Sequence, residues 1–229
     1  MNHAGISEKF VAAHYPRATT AIIAGSTNRG ERTATSDIDL LLIGDALFDD
    51  ERTSLAATHA FEGEIFEVFA YTPEGFDVWA QRDVDRHRPV IVEMLVDGTP
   101  LRSGPELDAL RERWEPVVAA GPSLSANESA LRRYIITDVL DDLRDARDPL
   151  ERRLLASILF ERTAELMLLD SGRWIGTGKW LPRRLRALSQ ERAARLGDPL
   201  LVDELATFAT VVEEELVRAG GRVQAGFVR

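Results

Sequence analysis

The sequence contains no cysteine. Disulfides and thiolate metal sites are therefore excluded, and a cytoplasmic location is the expectation. Lysine is almost missing too: of 28 Lys+Arg, only Lys9 and Lys179 are lysine. No run of 18 apolar residues occurs, so neither a membrane-spanning helix nor a membrane partner is expected. The first residues, MNHAGISEKF, lack a basic region followed by an apolar one, so no secretory signal is expected. The four histidines, His3, His14, His59 and His87, show no metal-ligand spacing and receive no role. Positive charge is in deficit, with a net charge of −10. The deficit is local: residues 1–122 hold 11 Lys+Arg against 21 Asp+Glu, and residues 123–229 hold 17 of each. An acidic N-terminal half argues against a nucleic-acid partner, because phosphate backbones need basic surfaces. It suits a cationic small substrate, and equally it suits plain solubility.

What is present is a chain of 229 residues with 45% hydrophobic content, enough for one large domain or two small ones. Its organising stretch runs from Ala21 to Ile43. An apolar run, Ala21 to Ala24, leads into Gly25-Ser26. Ten mostly polar residues follow, then a second apolar run opening with Asp37-Ile38-Asp39. Both runs read as short buried strands. Side chains on a strand alternate faces, so Asp37 and Asp39 are expected to point the same way. Two such carboxylates repel unless a cation lies between them, and a hard divalent ion such as Mg²⁺ is the natural partner. Gly25 lets backbone approach a ligand closely, Ser26 adds a hydroxyl and an amide, and a short helix opening here would suit a phosphate.

Gly25-Ser26, the ten-residue gap and Asp37-Ile38-Asp39 together resemble the signature of the DNA polymerase β-like nucleotidyltransferase superfamily. The fit is closest to its aminoglycoside nucleotidyltransferase branch. The resemblance is strong over residues 20–71, weaker over 72–120 and general beyond. It implies that Gly25 and Ser26 hold a triphosphate, with Arg29 and Ser36 counted beside them. It also implies that Asp37 and Asp39, with a third carboxylate on a later strand, hold two Mg²⁺ ions.

That third carboxylate is sought in the run Ile65 to Tyr71, whose aromatic and β-branched content reads as a strand. Glu67 sits inside it, with Phe66 and Val68 expected on the opposite face. An acid within such a strand needs a reason. Glu67 fits the family's third metal carboxylate, and Glu62 and Glu64, nearer the turn, are the alternatives. Around these, a helix is expected over 5–15, with Ile6, Phe10, Ala13 and His14 on one face. Residues 46–58 read as helix or loop. Helices are expected from Pro73 to about His87 and from Pro89 to Val96, then a short strand at 99–101 and a helix at 105–119.

Gly121-Pro122-Ser123 is the best domain boundary, giving domains 1–121 and 122–229. Beyond it, residues 126–146, 149–170, 183–196 and 199–219 read as amphipathic helices, with a break at Gly197-Asp198-Pro199 and a fraying tail from Gly220. Lys179 lies in the loop Arg173 to Trp180. In an arginine-rich chain it points to a compact point charge, and the resemblance implies a second-domain lysine reaching the triphosphate. The bland alternative is an exposed loop lysine. Arg183, Arg184 and Arg186 follow it, either assisting or forming a solvated face. Asp138, Asp141, Asp142 and Asp145 share one helical face. They are either a receiver for a polyamine-like acceptor, with Asp138 as general base, or a solvated face paired with Arg144 or Arg147.

The expected fold is an α/β nucleotidyltransferase core, a small mixed sheet with helices, followed by an all-α bundle. The expected reaction is transfer of a nucleoside monophosphate from an NTP to a hydroxyl of a small molecule, releasing pyrophosphate. A protein acceptor and a noncatalytic nucleotide-binding module are the alternatives. A homodimer is admitted.

Overall fold

The computed structural model describes residues 3–33 and 35–228. The chain divides into two compact units, Met1–Ala120 and Gly121–Arg229. In the first unit the elements are α1 (His3–His14), β1 (Thr20–Ile23), α2 (Gly25–Asn28), β2 (Ile38–Ile43), β3 (Ser54–Phe61) and β4 (Glu64–Tyr71). After them come α3 (Pro73–Asp85), α4 (Val90–Asp97), β5 (Thr99–Arg102) and α5 (Glu106–Ala120). The strands form one mixed sheet in the order β3-β4-β2-β1-β5. Only β2 and β4 are parallel; the remaining neighbours are antiparallel.

The sequence of β2, IDLLLI, explains its central place. All its residues but Asp39 are buried, as a strand covered on both faces requires. Leu41 and Ile43 face one layer, where Phe76, Ala80, Ile91, Leu95, Leu107, Leu110 and Trp114 bring in α3, α4 and α5. Leu40 and Leu42 face the other, with Phe10 and Val11 of α1. Phe10 stacks on Phe66 of β4 with ring centroids 4.2 Å apart. The start of α3 is fixed by Thr72, whose hydroxyl accepts from the Gly75 amide at 3.1 Å, and by Pro73 in the first turn.

Two expectations for this unit are corrected. Residues 54–61, expected as helix or loop up to 58, form the edge strand β3. Its small residues Ala56, Ala57 and Ala60 give little β signal, yet Leu55, Ala57, His59 and Phe61 are half-buried in alternation. It returns to β4 through Glu62-Gly63, at φ 47° and 86°, the positive pair of a type I′ hairpin turn. In α1 the buried side chains are Ser7, Phe10 and Val11, whereas Ala13 and His14 are exposed. The helix therefore presents a face turned from the expected one, set by the packing of Phe10 on the sheet.

The second unit is all helical: α6 (Ala126–Asp145), α7 (Pro149–Asp170), α8 (Trp180–Leu188), α9 (Gln190–Leu201) and α10 (Leu205–Arg218). One core joins them, including Ile136, Leu140, Leu159, Leu166, Leu196, Phe208 and Val212. Ser125, Asp148 and Ser189 cap α6, α7 and α9 through side-chain oxygens that accept backbone amides. The segment expected as one helix over 183–196 is two, separated at Ser189. That residue ends α8 and caps α9 by accepting the Arg192 amide at 3.2 Å. The expected break at Gly197-Asp198-Pro199 lies inside α9, and the true break follows Leu201. Over its described residues, 220–228, the tail expected to fray is held by contacts, and Arg229 lies outside the described residues. Arg133 Nη1 donates to the carbonyls of Gly220 and Gly221 at 2.7 and 3.0 Å. Arg222 pairs with Asp141 and Glu213, and Phe227 stacks on Tyr134 with centroids 5.6 Å apart.

Candidate active site

The site lies where β1 ends and β2 and β4 begin. The Ala24 amide donates to the Asp39 carbonyl at 3.0 Å, carrying the β1–β2 pairing up to Gly25. Gly25 has φ +62°, and a Cβ built there would lie 1.6 Å from Asp39 Oδ2. The Gly25 backbone therefore packs directly on the Asp39 carboxylate, and both the conformation and the contact demand glycine. At Gly25 the chain turns into α2, whose first amides have no acceptor within the helix. Asn28 anchors this turn: its amide nitrogen donates to the Asp97 carbonyl at 2.8 Å, and its carbonyl oxygen accepts from Thr99 Oγ1.

Asp39 and Glu67 are Cα partners in the parallel β2–β4 ladder. By alternation both lie on the face of Leu41 and Phe69, toward the α3–α5 layer. Asp37 precedes β2 by one residue. Among the described residues the Glu67 and Asp37 carboxylates have no hydrogen-bond or ion-pair partner. Burial raises the Glu67 pKa above its ordinary value, and the charges of Asp39 and Asp37 add to that shift. The alternatives for a third carboxylate are engaged elsewhere. Glu64 pairs with Arg32 at 2.7 Å and Glu62 with Lys9 at 3.3 Å.

Three carboxylates match, in chemistry, the oxygen donors of a hard divalent ion. As placed, they are not gathered around one point: among the described residues no group of three or more His, Cys, Asp or Glu is arranged to hold a metal. The donor set fits such an ion in kind.

The other expected residues are placed as follows. Ser26 is half-exposed at the start of α2. Arg29 is exposed and pairs with Glu31 at 3.3 Å. The Ser36 hydroxyl accepts the Thr33 amide at 2.9 Å and so shapes the loop before Asp37. Lys179 and Asp138 belong to the second unit. Lys179 is exposed just ahead of α8, after the buried Trp174 and Ile175. Asp138 is exposed on α6. Its neighbour Asp141 is bound by Arg222 and by Gln224, with Arg144 at 3.8 Å, so that acidic face is partly neutralised. Arg183 lies over the Trp180 ring at 4.8 Å. Arg32, which touches both the loop and β4, carries no motif; its only signal in the sequence is a cation between the two halves of the motif.

Residues 6–92 match the family model of the nucleotidyltransferase domain. No curated protein matches the chain. Among solved structures, the chain is similar to a nucleotidyltransferase-like protein from Exiguobacterium sibiricum at 15% identity and a TM-score of 0.47, over 94% of this chain and 73% of that one. The matched stretch begins in α1, ends in α4, and contains Gly25, Ser26, Asp37, Asp39 and Glu67. The match of residues 6–92 to the nucleotidyltransferase domain model supports a transferase, and nucleotidyl transfer is that domain's general activity.

Proposed function

We propose that the protein transfers a nucleoside monophosphate from an NTP to a hydroxyl of a small molecule, releasing pyrophosphate. The observation that carries this reading is the row Gly25–Asp39–Glu67. A glycine backbone lies on one carboxylate, and that carboxylate pairs in register with a second that has no partner among the described residues. Asp37, Asp39 and Glu67 are the residues to hold Mg²⁺, which when bound supplies charge neutralisation at the attacking and leaving oxygens. Gly25 and Ser26 would receive the triphosphate at the opening of α2, with Arg29 and Ser36 beside them. Glu67, farthest from Gly25 in this row, would lie on the acceptor side, because in-line displacement places nucleophile and leaving group on opposite sides of the phosphorus.

The acceptor class rests on charge. The first unit is strongly acidic, which favours a cationic acceptor of the aminoglycoside kind over a polynucleotide. Lys179 as a triphosphate ligand and Asp138 as a general base are proposed roles of the second unit. Their exposure leaves both side chains free to meet substrate.

The test is pyrophosphate release from each of the four NTPs with Mg²⁺, across a panel of aminoglycosides and lincosamides, for the wild type and Asp39→Asn. Release that requires one of these compounds and falls by on the order of 10²-fold or more in the variant is expected. If Mg²⁺ and NTP bind but no compound in the panel supports release, the acceptor is of another class, a protein among them. A wild type that binds no NTP in the presence of Mg²⁺ would sink the enzymatic reading.

A further inference from the structure

We propose that Arg32 is a positioning residue of this site, fixing Asp37 against Asp39 and Glu67. The inference rests on the nucleotidyl-transfer reading above. Asp39 is held by the sheet itself, between the Ala24 amide and its partner Glu67. Asp37 has no such support, because β2 begins at Ile38. The last parallel pair is Ile38 with Phe66, and two residues back along each strand stand Ser36 and Glu64. Arg32 joins those two. Its Nη2 donates to the Ser36 carbonyl and to Glu64 Oε2, each at 2.7 Å. The guanidinium thus continues the strand pairing beyond the ladder, with Asp37 inside the span it closes. A weaker tie, Thr27 Oγ1 to the Asp37 carbonyl at 3.4 Å, acts from the other side.

The pair is also more enclosed than a surface ion pair. The Arg32 and Glu64 side chains are 19% and 14% exposed, whereas every other ion pair described in the first unit has at least one side chain above 40%. Arginine suits the task because its planar fork can satisfy a carboxylate and a carbonyl at once, which an ammonium on a flexible stem holds less rigidly. Nη1 lies 3.1 Å from His3 Nδ1, a third contact that fixes the plane of the fork. Glu64 is thereby a structural acid, and the neutral Arg32–Glu64 pair adds no net charge beside the three carboxylates.

The experiment uses the full chain as wild type, Arg32→Ala, Arg32→Lys and the exchange Arg32→Glu/Glu64→Arg. Three quantities are read: thermal midpoint without ligand, Mn²⁺ affinity by electron paramagnetic resonance, and binding of each NTP with Mg²⁺ by calorimetry. Arg32→Ala is expected to weaken Mn²⁺ binding by about 10-fold or more, the range for losing a residue that orients a metal ligand. Arg32→Lys, which keeps the charge and folds most conservatively, is expected to lie between. The exchange restores an ion pair but removes the donor that position 32 supplies to the Ser36 carbonyl, and with it the tie between the loop and the start of β2. It should recover the thermal midpoint and leave Mn²⁺ binding weak. Unchanged Mn²⁺ affinity in Arg32→Ala or Arg32→Lys, or its recovery in the exchange together with the midpoint, overturns the positioning role and leaves the nucleotidyl-transfer reading intact. A wild type that binds neither Mn²⁺ nor any NTP overturns both.

Discussion

Asp39 and Glu67 stand side by side across the parallel β2–β4 pair, and Gly25 packs on the far side of Asp39. Two acids as direct neighbours on one sheet face weaken the fold, since like charges opposite one another repel. In the proposed function a bound Mg²⁺ would offset that repulsion.

The first prediction concerns Gly25. Gly25→Ala would place a methyl group 1.6 Å from Asp39 Oδ2 at a φ of +62°. The carboxylate must move, and the backbone strain alone costs about 1–2 kcal/mol. Urea unfolding should show a stability loss of that order. Pyrophosphate release should fall far more than the stability change accounts for at room temperature, where the variant remains folded.

Glu67 gives a pH-dependent prediction. Its folded-state pKa is raised, by burial first and then by Asp39 and Asp37. For a raised acid, protonation favours the folded state. The benefit is complete below its ordinary value of 4.5 and is lost as pH rises through the higher folded-state value. At pH 7 the ionised Glu67 therefore opposes folding. Glu67→Gln should melt at a higher temperature than wild type at pH 7, with the difference closing as pH falls below 4.5. The same substitution should abolish transfer. A variant that is both less stable at pH 7 and active would contradict the site.

Gly75 offers a contrast away from the chemistry. A Cβ there would lie 2.0 Å from the Thr53 carbonyl oxygen, a backbone atom that cannot swing aside. Gly75→Ala should destabilise by about 1–3 kcal/mol, as overpacking does. In protein kept folded at low temperature, its Mn²⁺ affinity should match wild type, unlike that of Gly25→Ala.

In the second unit, Arg222 ties the C-terminal segment to α6 and α10 through Asp141 and Glu213. The pair is partly exposed, so Arg222→Ala should change global stability by only about 0–1 kcal/mol. Amide hydrogen exchange over residues 220–228 should nevertheless accelerate, because the segment loses its ion pairs to α6 and α10. Unaltered exchange would assign the ordering of the tail to Arg133, which binds the Gly220 and Gly221 carbonyls.

The parts of this molecule that could be read from the sequence are those whose signal is local. Gly25-Ser26 and Asp37-Ile38-Asp39 stand between apolar runs, and Glu67 is an acid inside a hydrophobic strand; Asp39 and Glu67 pair in register on one sheet face, whereas Asp37, expected beside them, lies just before β2. The edge strand β3 was hidden because Ala56, Ala57 and Ala60 carry no β preference; pairing with β4 makes it a strand. Ser189 concealed a break, because one serine both ends α8 and caps α9 without a glycine or proline to announce it. Pro199 announced a break that does not occur: it falls in the last turn of α9, and the Glu204 amide closes on its carbonyl at 2.8 Å. Arg32 was invisible for a different reason. Its importance lies in which two chain segments it joins, and that is a property of the register.

The hairpin turn Glu62-Gly63 has a meaning well beyond the sheet edge where it sits. The chain reaches β4 only by going out along β3 and coming back, so the length of this turn acts as a reading frame for everything after it. A deletion or insertion of one residue there would present Phe66 or Val68 where Glu67 now faces Asp39, and turn the acid toward the opposite layer. The punctuation of a two-residue loop thus decides whether the third acid is legible to the first two. Homologous chains that alter this turn should be expected to do so in steps of two.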